Sequence, residues 1–417
     1  MGSSASGEVR AAAARLRARG AELRRRPLAE RVAVLGALLE QLRDAKSALR
    51  GRLVRELPEA TGFAPATLAA GLEAGFARWT AAAFAELVER ELHGTPGRTA
   101  SGFPLTAVVL GGAIPMPSAL QLIAPLALAS PVLARPGSHD LVTATALKDA
   151  LGQLDPALAE CIEVVAFPHA DRAAIDALAA ADCVVATGGD DAVAAIAAGV
   201  RPWQRFVGYG HRFSISALGR GAALGEACDA IARDVSLWDQ LGCLSPIALY
   251  AVGWRWEERA PLLDALGDAL GGLAKRWPAG RVSAEARARR AGELATCELR
   301  GAATRDVELR RGDGAWALVA ERDSTFRGSP LYRTLRVHFV ADLDALCGSL
   351  APVARHLASA GVAGFSNAQD ELCFRLAELG ASRVCPAGAM QAPPISWCHD
   401  GQGVLLPLAR LSDLAEK

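Results

Sequence analysis

Thiols offer this chain its most versatile chemistry. Nine cysteines occur in 417 residues, at positions 161, 183, 228, 243, 297, 347, 373, 385 and 398. None forms a Cys-x-x-Cys pair, so neither a zinc site nor a disulfide framework is indicated, and no metal is expected. A reducing cytoplasm fits that usage. Cys161 and Cys183 fall in strand-like apolar runs, and Cys228, Cys297, Cys347 and Cys373 in helical ones, where a small buried hydrophobe is the usual role. Cys385 precedes Pro386, and Cys398 adjoins His399, but neighbours in sequence generally point different ways. Cys243 differs because it sits in a turn, "DQLGCLSP" at 239–246, between a helical run and the apolar "IALYAV". Gly242 removes a side chain that would block a substrate, and the amide of Cys243 itself could receive the oxygen of a tetrahedral intermediate. That is the setting of a covalent nucleophile.

A second candidate is "ATGGDDAV", 186–193, where a strand ends, two glycines let the backbone approach a ligand and a helix begins. Gly188 and Gly189 could hold a phosphate there. The alternative is a tight strand-to-helix turn with Asp190 or Asp191 as N-cap, whose charge would repel an anion. No Gly-x-Gly-x-x-Gly fingerprint occurs in the chain, so a standard Rossmann site is not supported.

The elements that must position these residues follow from hydrophobic periodicity. From 105 to 252, short apolar runs ("LTAVVL", "PVLAR", "IEVVAF", "DCVVAT") alternate with helical ones, as in a doubly wound parallel α/β sheet. Ligands bind such sheets at the carboxyl ends of the strands, which singles out the loops "GGAIPMP", "RPGSHD" and "TGGDD". Residues 8–92 read as a helical lobe, and the arginines from Arg10 to Arg31 as its solvated face. Residues 253–417 read as a second α/β lobe with helices near 257–275 and 283–298. It ends in an irregular stretch crowded with proline and glycine. The 45 basic and 45 acidic side chains cancel, which argues against a polyanion surface, so nucleic acid is not an expected partner. No segment is long and apolar enough to predict a membrane span.

Five segments, in order, carry a resemblance: "LPEATGFAPATL", "ATGGDDAV", "RFVGYGHRFSISAL", "RDVSLWDQLGCLSP" and "SRVCPAGAMQAPPISWCHDG". Together they resemble the LuxC-type acyl-CoA reductases, a branch of the aldehyde dehydrogenase superfamily. The resemblance implies an α/β, aldehyde dehydrogenase-like fold: a variant Rossmann nucleotide-binding domain that lacks the usual fingerprint, plus an α/β catalytic domain. On that basis residues 1–100 form a helical lobe belonging to the nucleotide-binding domain, 101–238 that domain's sheet, 239–405 the catalytic domain and 406–417 a tail.

The activity implied is reduction of an acyl-CoA, or of an acyl-carrier thioester, to an aldehyde. Cys243 would accept the acyl group and NADPH, or alternatively NADH, would supply hydride. Cofactor-binding residues implied by the matching loops are Arg135, Pro136 and Ser138 from 134–138, and Thr187, Gly188 and Gly189 from 187–189. A homo-oligomer and an acyl-activating partner protein are implied as well.

Departures from the family pattern keep alternatives open. Ala113 stands in "GAIP" where an asparagine usually aids oxyanion binding, and Arg135 replaces the lysine that meets the cofactor ribose. Gly208 stands where oxidising relatives carry a water-activating glutamate, a change that favours reduction over hydrolysis. His211 is a minor candidate proton donor. An acyltransferase using Cys243 without hydride, or a non-catalytic subunit docking through the arginine-rich lobe, are the competing readings.

Overall fold

The computed structural model describes residues 4–93 and 98–413. Five helices come first: Ala5–Arg25, Leu28–Arg43, Ala48–Thr61, Pro65–Phe76 and Ala81–Leu92. Ser4, Ser47 and Thr80 cap the first, third and fifth by accepting from the amides of Gly7, Arg50 and Ala83. Gly62 ends the third in the left-handed region at φ 83°, where only glycine sits without strain. Part of the arginine face expected to be solvated instead docks the first helix within the chain. Arg15 pairs with Glu163 at 2.8 Å, Arg19 with Glu160 at 2.5 Å, and Arg17 with Asp182. Arg31 is buried and donates from Nε and Nη2 to the carbonyl of Ala127.

Strand β1 (Arg98–Ser101) follows. Next come β2 (Thr106–Val109), β3 (Val132–Arg135), β4 (Ile162–Val164), β5 (Cys183–Thr187) and β6 (Arg205–Tyr209), paired in parallel in the order β4-β3-β2-β5-β6. The order reverses between β2 and β5, and that switch point opens a crevice at the strands' carboxyl ends. β2 and β3 are buried along their whole length, because helices such as Pro115–Ala127 and Val142–Leu154 cover the sheet.

A second sheet takes β7 (Phe213–Leu218), β8 (Pro246–Val252), β9 (Val307–Gly312), β10 (Trp316–Glu321), β11 (Thr334–Val340), β12 (Leu357–Ala363) and β13 (Arg383–Pro386). Its order is β13-β12-β7-β8-β11-β10-β9, parallel except for the β9–β10 hairpin. The division expected at 238/239 therefore cuts between paired strands β7 and β8, whereas the change of sheet falls between Tyr209 and Phe213. The reason is physical: "FSISAL" is a short strand buried along its whole length, like β2 and β3, and nothing in its pattern tells which of two neighbouring parallel sheets it joins. The expected tail also contains a strand, β14 (Arg410–Asp413), antiparallel to β1. Among the described residues no helix is long and apolar enough to cross a membrane.

Candidate active site

The helix Leu224–Ser236 leads into a turn in which Trp238, Asp239 and Gln240 take φ of 58°, 48° and 65°. Left-handed backbone at non-glycine residues costs about 1–3 kcal/mol each and persists only where the surroundings enforce it. Here each residue has its own restraint. Trp238 is fully buried and packs edge-on to Phe63 at 5.5 Å, over the face of Gly71. The Oδ1 of Asp239 accepts from Nε of buried Arg333 at 2.8 Å, and its Oδ2 from the amide of Gly280 at 2.9 Å. Gln240 donates to the carbonyls of Pro246 and Thr334 and accepts from the Thr334 amide at 2.9 Å. Three residues on, the carbonyl of Cys243 accepts from Ser214 Oγ of β7 at 2.6 Å, which in turn pairs with Ser359 Oγ of β12.

The half-buried Cys243 opens on a pocket enclosing about 630 Å3, part of it open to solvent. Its walls are mostly apolar: Trp79, Ile114, Met116, Leu120, Trp238 and Trp397 among them. A second space of about 420 Å3 shares Pro117, Leu120 and His399 with it and continues toward Val185, Val404 and Leu408. Burial first, and then the negative charge of Asp400, push the Cys243 thiol up to about 11, against the pull of the backbone amides of Cys243 and Leu244.

His399 stands on the same wall, stacked on Tyr209 at 4.6 Å and tilted against Trp397 at 4.8 Å. Burial holds its imidazole below the usual histidine range, so the ring is neutral near pH 7. The side chain of Asp400 is only 3% exposed, with Arg212 Nε at 3.3 Å and His399 Nε2 at 3.8 Å, and neither carboxylate oxygen has a hydrogen-bond partner.

The residues expected from sequence divide into two groups. The carboxyl ends of β2, β3 and β5 do meet: a Cβ on Gly111 would lie 2.3 Å from the Thr187 carbonyl, and one on Gly137 3.1 Å from that of Gly112. Thr187 Oγ1 accepts from Gln121 at 2.6 Å, Gly188 is half-buried and Gly189 faces open space as N-cap of the helix Asp190–Ala197. Asp190 is thus not the cap, and its carboxylate accepts from the His211 amide instead. Pro136 is buried and Ser138 exposed. Arg135 turns inward, over the Phe167 ring at 5.1 Å, with Nη2 donating to the Phe167 carbonyl and Nε unpartnered.

Three other expectations look different in space. A side chain at 208 would meet Phe206 and Val193, each at 2.9 Å, while its neighbour Tyr209 lines the second space. Ile114 rather than Ala113 lines the Cys243 pocket. His211 is exposed. Among the other cysteines, burial pushes the fully buried Cys161 up to about 11 and Cys183 and Cys228 to about 12, and the half-buried Cys385 to about 11. Sequence reasoning missed Trp238, Gln391 and Asp400, and weighed His399 only as the neighbour of Cys398. The sole local signal was the density of Pro, Gly and aromatic residues around "PPISWCHDG".

A sequence model of the family described as acyl-CoA reductase (LuxC) matches residues 27–412. The chain belongs to that family. This LuxC-family chain is 24% identical over 310 residues to long-chain acyl-protein thioester reductase 2 of Photobacterium leiognathi. It is 24% identical over 309 residues to the long-chain acyl-protein thioester reductase of Aliivibrio fischeri. The two alignments take in 73% and 72% of this chain but only 62% of either relative's length. Solved structures similar to the LuxC-family chain include a putative aldehyde dehydrogenase from Burkholderia cenocepacia (TM-score 0.78, 15% identity, 98% of this chain and 91% of that one). An NAD-dependent aldehyde dehydrogenase from Sinorhizobium meliloti is similar at TM-score 0.76, with 16% identity over 98% of this chain and 86% of that one. The LuxC-family chain therefore has the aldehyde dehydrogenase fold.

Proposed function

We propose that this chain reduces an acyl thioester to an aldehyde, forming an acyl thioester on Cys243 and releasing CoA or a carrier thiol. The observation that carries this reading is the Cys243 thiol opening on an apolar pocket, with its own amide and that of Leu244 beside the sulfur. The two adjoining spaces, walled by Leu120, Val404 and Leu408, suit a hydrocarbon chain. The names of the relatives support a long acyl group presented on a protein or on CoA.

Thiol exchange between two thioesters is nearly neutral in energy, so the first step asks for alignment and oxyanion donors more than driving force. No carboxylate occupies position 208, where oxidising members of the superfamily carry the glutamate that activates water.

The loops after β2, β3 and β5 fit a dinucleotide in one respect: backbone lies against backbone, and Gly189 leaves helix amides uncovered for a phosphate. Thr187, Gly188, Gly189, Pro136 and Ser138 would hold it; Arg135 would have to leave Phe167 to join them. Bound there, NADPH or NADH would supply hydride. A homo-oligomer and docking of an acyl-activating partner are proposed on the family's behalf.

Two measurements test the reading. Incubation with acyl-CoA is expected to add one acyl mass to the intact protein, and Cys243→Ala to abolish it; unchanged labelling ends the assignment. NADPH is expected to raise the melting temperature and to be oxidised with a panel of acyl-CoAs. If it does neither while Cys243 still acylates, the protein is an acyltransferase.

A further inference from the structure

We propose that His399 carries the proton of the Cys243 thiol, with Asp400 as the residue that positions and charges it. The proposal rests on reading Cys243 as the acyl acceptor. Three features place the pair. His399 and Cys243 line the same pocket, and the imidazole is stacked on Tyr209 and tilted against Trp397, contacts that restrain its plane. Asp400 is a buried carboxylate without a hydrogen-bond partner, held beside His399 by backbone in the left-handed region at φ 53°. A buried carboxylate that accepts no hydrogen bond and has Arg212 Nε at 3.3 Å as its ion-pair contact gains from a second cationic neighbour, and the ring that becomes cationic on taking a proton is such a group. Backbone forced into that region at a pocket wall is also where functional constraint gathers.

The need is equally plain. Burial keeps the Cys243 thiol protonated near neutral pH, so it cannot attack unaided. His399 removes the Sγ proton as sulfur bonds to the thioester carbon. The carbon–sulfur bond to the leaving thiol then breaks, and the imidazolium returns the proton to that thiolate. One proton has moved from Cys243 to the departing thiol, and nothing is oxidised or reduced. The titratable and charged groups against the ring are Asp400, Arg212 and Tyr209, and Cys243 lines the same pocket. The helix Pro115–Ala127 and the segment after Gly403 face it with uncharged Pro117, Leu120, Val404 and Leu408. Tyr209 stays neutral, its phenol pushed up to about 12 by burial. Asp400 favours the imidazolium and Arg212 disfavours it.

The test uses iodoacetamide, which reports the thiol without needing any acyl substrate. Alkylation of Cys243 is followed by peptide mass between about pH 5 and 9, with Cys243→Ala as blank. The wild-type rate is expected to show an inflection in the imidazole range. His399→Gln should erase it and slow alkylation at pH 7 by about 10²-fold, a typical general-base contribution. Asp400→Asn should move the inflection to lower pH, since the carboxylate that favours the imidazolium is gone. A wild-type rate that climbs across the whole range without inflection overturns the proposal, and this needs no variant to fold. So does a folded His399→Gln protein with wild-type rate and profile. Alkylation that follows His399 in a protein that acyl-CoA never labels supports the proton transfer and sinks the acyl-acceptor reading instead.

Discussion

Asp234 shows how a single residue can tie the turn that carries Cys243 to the rest of the pocket. It lies on the helix that leads to Cys243, and its two carboxylate oxygens accept from the amides of Gly388 and Met390, in the loop that leads on to His399. Gln391 adds a bond from Nε2 to the Asp234 carbonyl and another to Ser245 Oγ. Burial outweighs the two amide donors and pushes the carboxyl from its ordinary 3.8 up to about 7. The folded protein therefore holds this proton more tightly than the unfolded chain does. The contribution to stability is full below the unfolded value and declines as pH rises toward about 7, beyond which it is flat. Urea unfolding across that window should show this falling component, and Asp234→Asn should remove it; an unchanged slope would refute the assignment.

The same restraint operates between elements. The helix Pro65–Phe76 carries Gly71 where a Cβ would come within 2.5–2.8 Å of three indole carbons of Trp238. That indole is rigid, wholly buried and part of the left-handed turn, so it has little room to yield. Gly71→Ala is expected to cost about 1–3 kcal/mol of stability, as overpacking does, and to slow acylation of Cys243 by displacing the turn. Chemical denaturation and single-turnover labelling would show both effects, and a variant with wild-type stability would mean that the helices slide freely.

What the sequence could disclose at this level follows from range. β2, β3 and β5 were legible because burial on both faces leaves an unbroken apolar run, and the turn at Cys243 because a Gly-Cys pair just before a strand is a local pattern. The partners of Arg15 and Arg17 were not, since Glu163 and Asp182 lie far along the chain and only the folded sheet brings them near. His399 and Asp400 were hidden for the same reason. Nothing within "SWCHDG" reveals that Tyr209, Arg212 and Cys243 surround it.

At the scale of the molecule, the last described strand closes on the strand that follows the opening helices. β14 pairs with β1 from Arg98↔Asp413 to Ser101↔Arg410. Nearby, Glu91 accepts from three consecutive amides, Val404, Leu405 and Leu406, at 2.7–3.0 Å. Glu91→Ala strands those donors. It is expected to destabilise the fold by about 1–3 kcal/mol and to speed amide exchange at 404–406 well before the central strands. Exchange that stays as slow as in the parent protein would show the clamp to be redundant.

Ile395, Leu405, Leu408 and Ala409 also belong to the same apolar core as Leu35, Leu39, Phe84 and Leu87 of the opening helices. Translation proceeds in the opposite sense to this closure. The opening helices leave the ribosome before residues 395–409, which supply part of the surface that seals them. Until those residues emerge the helices carry an uncovered greasy face, the condition under which nascent chains call on chaperones.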